Sequence, residues 1–146
     1  MFKSLLLFGS LMFSLAASAN CELSISANDA MQFSSKSLEV DKSCNSVKLT
    51  LTHTGQLPIN IMGHNWVLSA SDDVQELAIA GMQSGVDNRY VPQNDPRVLA
   101  ATEVVGGGAS TTIEFSIEQL SADKSYTFFC SFPGHFAVMQ GDFKLI

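Results

Sequence analysis

The chain has 146 residues, 46% of them hydrophobic and 15% charged, with a formal net charge of −6. That length suits one domain with a real core and leaves no room for two ordinary ones. The hydrophobic content excludes a disordered chain, and the acidic balance excludes a nucleic-acid surface, which needs clustered Lys and Arg.

Residues 1–19 start with basic Lys3, continue through the apolar run Leu5 to Leu15 and end in Ala17-Ser18-Ala19. This order describes a secretory signal peptide cleaved after Ala19. The apolar run is too short to span a bilayer comfortably, which argues against a membrane anchor. Cys21 lies just past it and raises lipoprotein processing, but Asn20 stands where such signals carry a small residue. No later segment reads as transmembrane. Residues 20–146 are therefore expected as one exported domain, without membrane insertion. Losing Lys3 from 8 basic residues leaves 7 against 14 acidic ones, a formal charge of −7.

The remaining chain reads mostly as strands. Leu23 to Ser26 alternates weakly, Asn28-Asp29 signals a turn, and Ser37 to Val40 alternates again. Val47, Leu49 and Leu51 share one strand face, with Lys48, Thr50 and Thr52 on the other. Gly55 and Pro58 break that strand, and Trp66-Val67-Leu68 forms another, with Trp66 in the core. Asp72 to Met82 is the one helical stretch, because Val74, Leu77, Ala78, Gly81 and Met82 make an apolar stripe. Ser71 or Asp72 is its expected cap and Gly85 its end. Residues 86–97, with Pro92 and Pro96, read as a long loop. Val98 to Val105 is strand-like, and Ile113, Phe115 and Ile117 alternate with polar residues. Tyr126, Phe128 and Cys130 share a face, and Gly141 opens a last strand with Phe143 and Leu145. About eight strands separated by turns imply an all-β, two-sheet Greek-key sandwich with one helical insertion.

Chemistry concentrates in Cys130-Ser131-Phe132-Pro133-Gly134-His135-Phe136-Ala137-Val138-Met139, where a thiolate, an imidazole and a thioether are spaced Cys-x4-His-x3-Met. Thiolate and thioether suit Cu(I), imidazole suits either copper state, and His₂Cys with a weak axial Met is an electron-transfer copper arrangement. The second His must come from His53 or His64. His64 precedes a strand in Met62-Gly63-His64-Asn65-Trp66, so a loop at the same end of the sandwich supplies it. The expected set is His64, Cys130 and His135 in a plane, Met139 axial, and the Gly63 carbonyl as a weak contact opposite. Individually, a Cys beside Phe and a Met in a strand are ordinarily core, and a lone His ordinarily a hydrogen-bonded one. Their clustering favours a metal, and the Met favours copper over zinc. An exported chain favours a disulfide. Pairing Cys21 with Cys44 leaves Cys130 for the metal, whereas other pairings would leave a thiol open to oxidation. His53 follows the inward parity of its strand and reads as a hydrogen-bonded core residue.

Met62-Gly63-His64-Asn65-Trp66-Val67-Leu68 and Phe128-Phe129-Cys130-Ser131-Phe132-Pro133-Gly134-His135 resemble the azurins, a family of bacterial blue-copper proteins. Asn28 to Phe33, Val40 to Cys44 and the early cysteines fit as well, so the resemblance covers essentially the whole exported chain. It implies an eight-stranded cupredoxin sandwich with a helical flap and one type 1 copper cycling between Cu(I) and Cu(II). It further implies a non-enzymatic role in periplasmic electron transfer, with c-type cytochromes, nitrite reductase or cytochrome peroxidase as transient partners. By the same resemblance, the Asn65 side chain ties the ligand loops together, and the Asn65 and Phe132 N–H groups point at the Cys130 sulfur. Met31, Met62, Met82, Pro133 and Gly134 make an apolar docking patch around an exposed His135 edge. Phe136 stands where azurins carry a smaller residue, a departure expected either to enlarge that patch or to alter partner choice. His53 is expected to make the reduction potential modestly pH-dependent. Three His in total are too few for a multicopper oxidase or reductase, and the alternative non-enzymatic role is copper storage or delivery.

Overall fold

The computed structural model describes residues 20–146, so the expected signal peptide at 1–19 lies outside the described residues. The strands, in chain order, are β1 (Glu22–Asn28), β2 (Gln32–Phe33), β3 (Ser37–Val40), β4 (Ser46–His53), β5 (Val67–Ala70), β6 (Ala100–Ala101), β7 (Ser110–Ser116), β8 (Tyr126–Phe129) and β9 (Gln140–Leu145). One sheet has the order β2-β1-β4-β7 and the other β3-β9-β8-β5-β6. The parallel pairs β1/β4 and β3/β9 join strands that no hairpin connects, as the crossing of a Greek-key sandwich requires.

Side-chain alternation fixes which face each strand buries. Val47, Leu49, Leu51 and His53 point inward from β4, while Lys48 is exposed and Thr50 and Thr52 are half-buried. Leu23, Ile25 and Ala27 of β1 join them against Trp66, Leu68, Phe128 and Phe143 from the opposite sheet. Trp66 is fully buried among the rings of Phe115, Phe128 and Phe143, and no described residue accepts its Nε1–H. Cys21 and Cys44 form a disulfide with Cα atoms 5.8 Å apart, which pins the start of β1 to the turn before β4. In the chain-entropy model, closing such a loop is worth about 3 kcal/mol.

Four expectations need correction. The strand-like residues 98–105 contribute only the two-residue β6. Pairing Val67 with Ala101 would set His64 opposite Val104, yet His64 faces Val105. One extra residue is thus accommodated as a β-bulge, where Thr102 Oγ1 accepts the Trp66 N–H at 2.9 Å. Second, the helix starts later than its stripe suggests. A 3₁₀ turn at Ser71–Asp73 precedes α2 (Val74–Ser84), and no side chain caps the start. Third, Pro58 does more than break β4: a one-turn helix, α1 (Ile59–Met62), follows it, with the Pro58 carbonyl accepting the N–H groups of Ile61 and Met62. Fourth, nine strand segments are present among the described residues rather than about eight, two of them only two residues long.

The helix α2 builds a second, smaller core on the outer face of the five-stranded sheet. Val74, Leu77 and Ala78 cover Val67, Val91 and Phe129. Consecutive residues of the β8 end therefore serve different cores: Phe128 and Cys130 face the sandwich interior, and Phe129 faces the flap.

Candidate metal centre

Two loops meet at one end of the sandwich. Cys130 follows β8, His135 lies in the turn between β8 and β9, and His64 is placed by the bulge before β5. All three are buried, and their ligand atoms lie within 4.8 Å of one another. Cys130 Sγ is 3.8 Å from His64 Nδ1 and 3.6 Å from His135 Nδ1. Metal bonds of about 2.0 Å to imidazole and about 2.3 Å to thiolate, spread over a trigonal plane, hold nitrogen and sulfur about 3.7 Å apart. The protein geometry therefore fits a three-coordinate ion without rearrangement.

The sequence-expected companions are placed as follows. Met139 is fully buried; its carbonyl accepts the Cys130 N–H at 3.0 Å, and its N–H donates to the His135 carbonyl at 2.9 Å. These bonds close the ten-residue ligand loop into a compact turn. A Cβ on Gly63 would lie 2.5 Å from the Ile59 carbonyl oxygen, 2.7 Å from Val104 and 2.8 Å from the Phe132 ring, so only glycine fits there. Gly134 has φ +83°, which suits glycine at the tip of the ligand turn.

Asn65 crosslinks the loops. Its Oδ1 accepts the Ser131 N–H at 2.8 Å, and its Nδ2 donates to Ser131 Oγ at 2.8 Å and to the Arg89 carbonyl at 3.1 Å. The third bond ties the loop after α2 to the site as well. Backbone N–H groups of Asn65 and Phe132 face the Cys130 sulfur.

Burial sets the protonation of the metal-free site. It pushes the Cys130 thiol up to about 12, against the opposing pull of those two N–H donors. Burial chiefly, helped by the nearby rings of His135 and His53, pulls His64 down to about 4 against the opposing pull of the Asn28 carbonyl and the Asp29 carboxylate. His135 is lowered by burial too. Both imidazoles thus remain neutral at pH 7, as metal ligation requires.

Sequence reasoning missed the backbone group that orients His64. The Asn28 carbonyl, at the end of β1, accepts from His64 Nε2 at 2.8 Å. A carbonyl cannot donate, so the His64 proton is on Nε2 and the Nδ1 lone pair faces the sulfur. Asp29 fixes that turn by accepting the N–H groups of Gln56 at 2.7 Å and Leu57 at 3.2 Å. The turn signal Asn28-Asp29 was visible, but nothing in it announced a carbonyl aimed at a histidine.

His53 lies outside the triangle. It is fully buried, its ring centroid 4.6 Å from that of His64, and it donates from Nε2 to the Met62 carbonyl at 2.8 Å. Its Nδ1 accepts the Gly55 N–H at 3.0 Å, so a neutral ring satisfies both partners.

The expected surface patch is only partly as described. Met31 is exposed, Met62 and Met82 are half-buried, and Pro133 and Gly134 are exposed. His135 is 4% exposed, so the imidazole presents a thin rim rather than an open edge. Phe136 is half-buried like Met62 and Met82, with part of its ring packed against the flap core. Leu57, Ile59, Ile61 and Val138 are exposed apolar residues that the sequence reading passed over. Pro58 led that segment to be read as a break, although Leu57, Ile59 and Ile61 show an alternation that an exposed turn can present.

Known proteins match this arrangement. The model of copper-binding proteins of the plastocyanin/azurin family matches residues 19–146. Azurin from Bordetella pertussis is 47% identical over 149 residues, covering 100% of this chain and 99% of its own. Azurin-1 from Alcaligenes xylosoxydans xylosoxydans is 47% identical over 128 residues, covering 88% of this chain and 99% of its own. The structure of azurin Az-iso2 from the obligate methylotroph Methylomonas sp. strain J superposes with a TM-score of 0.84 at 43% identity, covering 88% of this chain and 99% of that one. With a cupredoxin sandwich around a buried His64–Cys130–His135 site for one copper ion, the chain belongs to the plastocyanin/azurin family of copper-binding proteins.

Proposed function

We propose that this protein is a mobile periplasmic electron carrier, accepting and donating single electrons at a blue-copper site. The observation that carries the reading is the buried triangle of one thiolate and two imidazoles, already at trigonal spacing and reaching the surface only at the rim of His135. When bound, copper supplies a one-electron couple between Cu(I) and Cu(II).

The protein's part is to hold the ligands still and dry. His64 is fixed from behind by the Asn28 carbonyl, Cys130 by two N–H donors, and both loops by Asn65. Ligands that do not move keep the reorganisation barrier low, and the N–H donors stabilise negative charge on sulfur and so tune the potential. With copper bound, Met139 and the Gly63 carbonyl would add weaker donors to the set of His64, Cys130 and His135.

The apolar rim of Met31, Leu57, Ile61, Pro133 and Val138 suits brief docking of a redox partner, because adaptable apolar surface binds without demanding one charge pattern. Cytochromes of the c type, nitrite reductase and cytochrome peroxidase are the partners proposed. The disulfide and the sequence of residues 1–19 support the periplasm. A carrier rather than an enzyme is supported by the use of the remaining histidine, His53, in backbone hydrogen bonds, which leaves no imidazoles for a second copper centre.

Stopped-flow mixing of the copper-loaded protein with a reduced c-type cytochrome tests this. Rapid bleaching of an intense visible Cys-to-copper band is expected. A colourless copper-loaded protein would sink the site assignment, and a coloured one that transfers copper but not electrons would sink the carrier role.

A further inference from the structure

We propose that Phe136 is a positioning residue for His135: its ring fastens the middle of the ligand loop into the flap core and so sets how firmly the imidazole is held on the metal. The inference rests on the copper-site reading above.

The loop is threaded between two cores. Cys130, Phe132 and Met139 belong to the sandwich core, while Phe129 and Phe136 belong to the one beneath α2. Between Phe132 and Met139, the side chains of Pro133, Ala137 and Val138 are exposed. Apart from His135 itself, Phe136 is therefore the side chain that anchors this stretch inward.

The hydrogen bonds around His135 are internal to its turn. Its N–H donates to the Phe132 carbonyl at 3.0 Å, and its carbonyl accepts from Val138 at 3.1 Å and Met139 at 2.9 Å. They fix the shape of the turn without tying it to another element. One outside contact exists, the exposed Lys36 ammonium on the Val138 carbonyl at 3.0 Å, and an exposed lysine holds weakly. On the imidazole, the Phe132 ring packs at a centroid distance of 4.7 Å, and the ring's hydrogen-bond-range contact among the described residues is Nδ1 to Cys130 Sγ at 3.6 Å. His64, in contrast, has the Asn28 carbonyl behind it. His135 thus lacks a hydrogen-bonded brace of its own, and the adjacent Phe136 supplies a hydrophobic one.

The flap offers an internal control. The C-terminal half of α2 abuts the ligand loop, since a Cβ on Gly81 would lie 3.5 Å from Ser131 Cβ. The N-terminal end abuts the far end of β8, where Ser71 and Thr127 hydroxyls are 2.8 Å apart. Val74 is buried at that far end.

The test measures copper release to excess Cu(II) chelator, the visible and EPR spectra of the loaded protein, and the melting temperature of the copper-free protein. Phe136→Ser is expected to speed release about tenfold, equivalent to ~1.4 kcal/mol, and to shift the relative intensities of the charge-transfer bands. Phe136→Leu, which keeps an apolar anchor, is expected to restore both toward native values. Val74→Ala is expected to lower the copper-free melting temperature and leave release and spectrum unchanged. Phe136→Ala gives the same test should the Ser variant not accumulate. Native release and spectra in the Ser or Ala variant overturn the proposal, as does an equal change in Val74→Ala. Failure of the copper-site reading would show separately, as a native protein with no Cys-to-copper band.

Discussion

Acidifying the copper-free protein should destabilise it in a window set by His64. The ring is fully buried, its Nε2–H is committed to the Asn28 carbonyl, and a proton on Nδ1 would place a charge between two other imidazoles. Burial holds the folded value at about 4, against 6.5 for an unhindered histidine. Between those values the unfolded chain binds more protons than the folded one, so stability rises with pH. The contribution is fully present above pH 6.5, declines as the pH falls below it, and is gone below about pH 4. At ~1.4 kcal/mol per pH unit the gap is worth about 3 kcal/mol, a large share of a typical 5–15 kcal/mol total. His135, lowered by burial, acts in the same direction. Carboxylates such as Asp29, held below the usual 3.8 chiefly by the Gln56 N–H, lose their contribution only at still lower pH, so they do not blur the window.

Urea denaturation of the copper-free protein at a series of pH values measures this directly. The extrapolated stability should fall by about 3 kcal/mol from neutral pH to about pH 4. His64→Gln, which carries no titrating proton, should flatten most of that fall. Copper loading should also flatten it, because a ligated imidazole cannot take the proton. A flat native profile, or one that His64→Gln leaves equally steep, would refute the assignment of the acid limb to His64.

Cu(II) binding to the copper-free protein at neutral pH should release one proton, from the Cys130 thiol held at about 12, with none from the neutral imidazoles. Calorimetric titration in buffers of different ionisation enthalpy counts it, and a count near zero would mean that the thiolate is preformed. Asn65→Ala removes three side-chain hydrogen bonds and leaves the Ser131 N–H buried without its acceptor. A loss of roughly 2–3 kcal/mol is expected in chemical denaturation, and a loss within error would show that water replaces the amide. Cys130→Ser should abolish the visible band, whereas Met139→Ala should keep it and raise the reduction potential; a Met139→Ala protein with unchanged potential would argue against axial ligation.

The parts of the fold carried by side-chain periodicity were legible. The alternation of β4 and β7, the stripe of α2 and the shared face of Tyr126, Phe128 and Cys130 all survive in the structure. The donor set was legible because thiol, imidazole and thioether are chemically distinctive and crowd into ten residues. What escaped was carried by the backbone or by the third dimension. Any residue could have supplied the carbonyl that orients His64, so the identity of Asn28 held no clue. The bulge that aims His64 is a register shift between strands distant in sequence, with Thr102 as its only side-chain mark. Phe136 is apolar in a loop of apolar residues, and only the position of α2 decides that it turns inward while Pro133 and Val138 face solvent.

The two histidines of the site are built differently, and the difference follows their depth. His64 is fully buried, packed against the tilted ring of His53, and hydrogen-bonded through its far nitrogen. Movement there would break the Asn28 bond and leave a buried polar group unpaired, at a cost of about 1–3 kcal/mol. His135 retains 4% exposure, and its ring's hydrogen-bond-range contact among the described residues is Nδ1 to Cys130 Sγ, so apolar packing from Phe132 and the anchored loop must hold it. A hydrogen-bonding brace on its far nitrogen would put a polar group between the ligand and the surface, where the proposed redox partner would approach. Hydrophobic support holds the ring from the sides and leaves its outer edge clear. The same end of the protein can therefore be rigid around the metal and apolar toward a partner, because the deep imidazole is held by hydrogen bonding and the shallow one by packing.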